Sequence, residues 1–144
     1  MERTILLIED NSDDERLTLR ALRRNNIMNE VVVAYDGEEG LRRLLTASAS
    51  ELPAVVILDL RLPRLSGLEV LRQIRQSETC GNVPVVVLTA SEDHAELREC
   101  YRAGANSFVR KPSDNKEFSD VILNLAIYWL LMNDAPGAIA AAIA

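Results

Sequence analysis

The chain is predicted to form an α/β fold: an open, doubly wound sheet of five parallel strands with helices on both faces. Three observations predict it. Short Val- and Ile-rich runs alternate with stretches of helical period. Four of those runs carry no polar residue inside, as strands buried on both faces do. The stretches between them, about ten to fourteen residues each, suit the crossover helices that parallel neighbours require.

The strands are expected at residues 4 to 8, 30 to 35, 54 to 59, 84 to 89 and 106 to 109. Helix starts are expected where a capping acceptor stands three residues before a glutamate: Ser12 with Glu15, Asp36 with Glu39, and Ser66 with Glu69. Gly104 suits the end of a helix, where a left-handed residue is wanted before the fifth strand. Five β/α repeats thus fill residues 1 to 132 without an internal linker. Residues 133 to 144, where Pro136-Gly137 precedes an alanine-rich run, read as a tail without an output domain.

Composition narrows the function classes. The 144 residues fit one domain with a core that needs no disulfide or structural metal. A net charge of -6 lacks the basic face that holds phosphate backbones, so nucleic acid is not an expected partner. Cys80 and Cys100 stand far apart and His94 is the one histidine, which makes neither a disulfide framework nor a zinc site. The opening run "TILLI" is too short for a signal peptide or a membrane span, and a cytoplasmic location is expected.

In a doubly wound sheet ligands sit beyond the carboxyl ends of the strands. There the chain places Glu9-Asp10 after the first strand, Asp59 after the third, Thr89 at the end of the fourth and Lys111-Pro112 after the fifth. Each alone has an ordinary reading as a loop acid, a helix cap or a solvated charge. Together, three carboxylates, a hydroxyl and an ammonium on one rim describe a site for Mg²⁺ and a phosphoryl group, since Mg²⁺ takes hard oxygen donors and phosphate oxygens. Lysine stands only at 111 and 116 among the 16 basic residues, so its use at 111 suggests a compact point charge for phosphate.

With these residues in this order, "ED" at 9 to 10, Asp59 followed by "LRLPRLSG", Thr89 in "VVVLTAS", Phe108 and "KP" at 111 to 112, the chain resembles a two-component response-regulator receiver domain of the single-domain, chemotaxis-like type. The resemblance spans about residues 3 to 131 and implies a flavodoxin-like (βα)5 fold. It implies that Asp59 accepts a phosphoryl group from a sensor histidine kinase, with only self-phosphorylation and slow autodephosphorylation as catalysis. By the same resemblance Asp10, Asp59 and Glu9 would hold Mg²⁺ together with the backbone carbonyl of Arg61. Thr89 and Lys111 would hold phosphoryl oxygens, and Thr89 with Phe108 would form the switch. Glu9 replaces the more familiar first aspartate, and Arg61 occupies a variable position thought to tune hydrolysis. The Lys111-Pro112 bond is a candidate for the cis isomer, because X-Pro bonds disfavour it little.

The last helix carries a further signal. In "VILNLAIYWLLM", Val121 to Met132, every residue but Asn124 is apolar, and a helix lying on a sheet buries only one stripe. Phe118, Ile122, Leu125 and Trp129 follow the core period, leaving Leu123, Ile127, Tyr128, Leu130 and Leu131 for a second contact. A homodimer through this face is favoured over packing of the tail. The "YWLL" cluster resembles the single-domain regulators that partner bacterial phytochromes.

Three rival classes are weaker. A haloacid-dehalogenase-type phosphatase also uses a strand-end aspartate, Mg²⁺, a hydroxyl and a lysine, but wants an acid where Arg61 stands. A nucleotide or flavin module wants a glycine-rich loop where "EDNSDDE" stands. A phosphorylation-independent interaction module would not need the full set of site residues.

Overall fold

The computed structural model describes residues 3–134. Its strands are β1 (Ile5–Ile8), β2 (Val31–Ala34), β3 (Val55–Leu58), β4 (Val85–Thr89) and β5 (Ser107–Arg110). They form one parallel sheet in the order β2-β1-β3-β4-β5. The helices are α1 (Ser12–Arg24), α2 (Gly37–Thr46), α3 (Gly67–Gln76), α4 (His94–Arg102) and α5 (Asn115–Ala126). A 3-10 turn covers Ala49–Glu51, and a π-helical stretch, Ile127–Met132, continues α5. The predicted fold class and all five strands are present, trimmed or shifted by a residue or two at their ends.

Alternation along the central strands divides the core into two layers. Ile5, Leu7, Val55 and Ile57 face the layer of α1 and α5, with Leu22, Phe118, Ile122 and Trp129. Leu6, Ile8, Val56 and Leu58 face α2 and α3, with Leu41, Leu44, Leu71 and Ile74. A smaller cluster of Leu60, Val87 and Cys100 seats α4. With both faces covered, β1, β3 and β4 are buried throughout, which is why they read as unbroken aliphatic runs.

The caps explain where the helices start. Asp36 accepts from the Glu39 N–H at 2.8 Å and Ser66 from that of Glu69 at 3.3 Å, as the pattern predicts. At α1 the cap is Asn11, whose side-chain oxygen accepts from Asp13 N at 2.9 Å and Asp14 N at 3.1 Å, so Ser12 is the first helical residue. Both Asn and Ser favour this position, and Asn11 meets the acidic first turn one residue earlier. Gly104 ends α4 at φ 105°, the left-handed geometry expected of it.

Two further expectations fail. The Lys111–Pro112 bond is trans; Lys111 N bonds Thr89 O at 2.7 Å, and its side chain reaches the site from that backbone without a cis turn. Leu130 is buried, at 4% exposure, and joins the α1–α5 core beside Trp129. The helix widens there, with Asn133 N bonding Tyr128 O five residues back; Leu130 follows Ala126 by four residues and Ile122 by eight, on the stripe those buried residues define. Arg3 closes that end by donating to the carbonyls of Leu130, at 2.9 Å, and Asn133. The expected tail, residues 133 to 144, lies from 135 onward outside the described residues.

Candidate functional site

The carboxyl ends of β1, β3, β4 and β5 open into one cleft lined by Asp10, Asn11, Ser12, Asp13, Asp14, Asp59, Arg61, Ala90 and Lys111. Glu9 lies at its base, 3% exposed, because its backbone still follows β1, with Glu9 N bonded to Ala34 O at 3.0 Å. Asp10, the next residue, is exposed. Asp59 follows β3 with its own N bonded to Ile8 O at 3.1 Å, and its carboxylate Oδ1 accepts from Arg61 N at 3.1 Å. The sheet therefore grips the backbone of Asp59 while the side chain enters the cleft.

Gly67 makes the tight return after Asp59 possible. A Cβ there would stand 2.3 Å from the Asp59 carbonyl oxygen and 2.7 Å from Leu60 Cα, both backbone atoms. No larger residue fits without moving the segment that carries Asp59.

Oxygens of Glu9, Asp10 and Asp59 all lie within 4.8 Å of one another. Such crowding of anions calls for a cation. Burial, followed by the hydrogen bond and charge of Asp59, pushes the Glu9 carboxyl up to about 8, although Lys111 pulls it back. The three hard oxygen donors and this unfavourable concentration of charge fit a divalent metal ion.

Lys111 Nζ is the counter-charge that the protein itself supplies. It donates to Asp14 Oδ2 at 2.7 Å, to Glu9 Oε1 and Oε2 at 3.1 and 3.3 Å, and to Asp59 Oδ2 at 3.2 Å. Burial alone would lower its pKa, but the Asp14 hydrogen bond and the charges of Asp59, Glu9 and Asp14 outweigh it and raise the pKa. Asp14 escapes sequence reasoning because it stands inside a helix start rather than at a strand end. Its signal is the acidic run "EDNSDDE", which sets a carboxylate one turn into α1 and back over the same rim.

Thr89 is fully buried, its Oγ1 accepting from Ser91 N at 3.4 Å. The Ser91 hydroxyl donates to Glu96 in the first turn of α4 and accepts from Asp93 N at 3.2 Å. Glu96 Oε2 also faces Arg61 Nη2 at 3.5 Å. Ser91 and Glu96 complete a polar chain from Thr89 to the segment after Asp59, and no spacing in the sequence announces it. Phe108 is half-buried beside Leu60, Val87 and Cys100. Its N–H is bonded by the Tyr101 hydroxyl at 3.2 Å.

Of the last-helix residues predicted for a second contact, Ile127, Tyr128 and Leu131 are exposed and Leu123 is half-buried. Met132 joins them at 69% exposure, while Leu130 leaves the set. Among the described residues no helix is long and apolar enough to cross a membrane.

Comparison with known proteins agrees with this geometry. The chain is 38% identical over 135 residues to the probable methanogenesis regulatory protein FilR2 of Methanothrix harundinacea, covering 92% of this chain and 87% of that protein. Its structure is similar to that of the phosphorylated cyanobacterial phytochrome response regulator RcpA, with TM-score 0.86 and 30% identity over 94% of this chain and 99% of the other. It is also similar to the bacteriophytochrome response regulator AtBRR, with TM-score 0.69 and 43% identity over 93% of this chain and 99% of the other. The family model of the response regulator receiver domain matches residues 5–123. With its strand-end carboxylates, buried threonine and lysine on one rim of a β2-β1-β3-β4-β5 sheet, the chain belongs to the response regulator receiver domain family.

Proposed function

We propose that this receiver takes a phosphoryl group from a sensor histidine kinase onto Asp59 and passes the signal on by protein contact. The observation that carries the reading is the placing of Lys111 Nζ against Asp59 and Glu9 at the edge of the three-carboxylate cluster. An Asp59 oxygen attacks phosphorus, the new O–P bond forms as the N–P bond to the donor imidazole breaks, and the imidazole departs with the electron pair. Asp59 is presented rigidly because β3 and Gly67 fix its backbone on both sides.

Mg²⁺ would be held by Glu9, Asp10, Asp59 and the Arg61 carbonyl, and it supplies charge neutralisation for the transferring oxygens. Lys111 contributes its ammonium to the same oxygens, and the Thr89 hydroxyl turns from Ser91 to donate to the phosphoryl group. That turn, with reorientation of Phe108, changes the surface of α4, β5 and α5. The reading is supported by the complete burial of Thr89 at the end of β4 and by the half-buried Phe108 on the paired strand β5, beside Val87.

The likeness to phytochrome response regulators supports a phytochrome-type histidine kinase as the donor. Ile127, Tyr128, Leu131 and Met132 support a homodimer through the last helix, because together they leave a large apolar patch in water. A cytoplasmic location follows from the kinase reading.

The test is intact mass after incubation with Mg²⁺ and acetyl phosphate, beside an Asp59→Asn control. One phosphoryl adduct, removed by hydroxylamine and missing in the control, is expected. Steady release of inorganic phosphate from unrelated phosphomonoesters without an adduct would replace this reading with a phosphatase.

A further inference from the structure

Lys111 has three N–H donors and no other polar function. All three are committed, to Asp14, Glu9 and Asp59, and the contact with Asp14 is the shortest at 2.7 Å. A phosphoryl oxygen arriving on Asp59 must therefore displace one of these partners. Glu9 and Asp59 belong with Asp10 to the cluster whose oxygens lie within 4.8 Å of one another, and Asp14 does not. Once a cation draws the Glu9 and Asp59 oxygens towards itself, Asp14 is the carboxylate left to the lysine.

Asp14 is also well held. Its N–H is bonded to the Asn11 side chain at 3.1 Å, and its carbonyl accepts from the Thr18 hydroxyl at 2.8 Å, so the first turn of α1 fixes it. The adjacent Asp13 is different: exposed, and paired with Arg16 on the outer face of the helix. Two neighbouring acids thus carry the same charge at the same mouth, and only one touches the lysine.

We propose that Asp14 is the positioning residue that parks the Lys111 ammonium between phosphorylation events and competes with the phosphoryl group for it. The inference rests on Asp59 being the phosphoacceptor. In the resting protein Asp14 stabilises the lysine; during transfer the ammonium moves from Asp14 to the phosphoryl oxygens. Loss of the Asp14 charge removes a stabilising partner from the resting state only, and so makes transfer faster.

The experiment measures the rate of Asp59 phosphorylation by acetyl phosphate with saturating Mg²⁺, by intact mass, in the wild type and in D14N, D14E and D13N. D14N is expected to react roughly two- to fivefold faster, the range that one partly exposed charge pair supports. D14E, which restores a carboxylate, is expected to return towards the wild-type rate. D13N, with the same change in net charge, is expected to match the wild type. Equal acceleration in D13N and D14N would reduce the effect to general charge at the mouth and overturn the proposal, as would a D14N protein that reacts no faster or more slowly. A wild type that takes no phosphoryl group would instead refute the reading of Asp59.

Discussion

Arg61 Nη2 stands 3.5 Å from Glu96 Oε2, which joins the segment just after Asp59 to the first turn of α4. The same Glu96 oxygen accepts the hydroxyl of Ser91, a residue only 7% exposed. Arg61 is largely in water, so its pairing adds little stability. The Ser91 bond matters more, because a buried hydroxyl without an acceptor is costly. Glu96→Ala is expected to lower stability by about 1 kcal/mol in urea unfolding. It should also speed amide exchange between Ser91 and Ala95, whereas Glu96→Gln, which keeps an acceptor, should do neither.

Gly67 has no room for a side chain, with backbone atoms of Asp59 and Leu60 at 2.3 and 2.7 Å from the position of its Cβ. Gly67→Ala is expected to cost about 1 to 3 kcal/mol, the usual range for forced overpacking. Because the displaced atoms belong to Asp59, the rate of phosphorylation should fall along with the melting temperature. A variant with wild-type phosphorylation would show that the segment adjusts without moving the carboxylate.

Glu9 gives the metal-free protein a pH dependence. Its carboxyl is pushed up from the ordinary 4.5 to about 8 in the fold, chiefly by burial. Between those values the native state holds a proton that the unfolded chain has lost, so stability falls as pH rises. The contribution is complete below about 4.5 and gone above about 8. Urea midpoints measured with a chelator across this window should decline more steeply for the wild type than for Glu9→Gln. Mg²⁺, which favours the charged carboxylate, should flatten the wild-type slope.

Leu130 and Leu131 are neighbours with opposite surroundings, at 4% and 74% exposure. Leu130→Ala is expected to cost about 2 to 5 kcal/mol, as a core leucine does. Leu131→Glu should leave the unfolding midpoint of the subunit nearly unchanged and convert the proposed dimer to a monomer, read by light scattering. A wild type that stays monomeric at high concentration would overturn the proposed dimer.

The sheet was legible in the sequence because a strand covered on both faces must be aliphatic throughout, and Val55 to Leu58 and Val85 to Leu88 leave no other reading. The rim residues Glu9, Asp10, Asp59, Thr89 and Lys111 were legible for a related reason: polar groups at the ends of apolar runs are conspicuous, and parallel strands bring such ends together. Asp14, Ser91 and Glu96 lie on helix starts and loops, where acids and hydroxyls are common caps and carry no mark of a longer-range partner. Only packing decided that Asp14 turns to Lys111 while Asp13 turns away, and that Ser91 and Glu96 link Thr89 to Arg61. Leu130 stands four residues after Ala126 and eight after Ile122, on the stripe that faces the core, but in a run apolar on every side the composition does not tell the inner face from the outer one. The local pattern of residues thus determined the elements and the chemistry they offer at one rim, whereas pair contacts across elements, fixed by how the helices rest on the sheet, belonged to the tertiary structure alone.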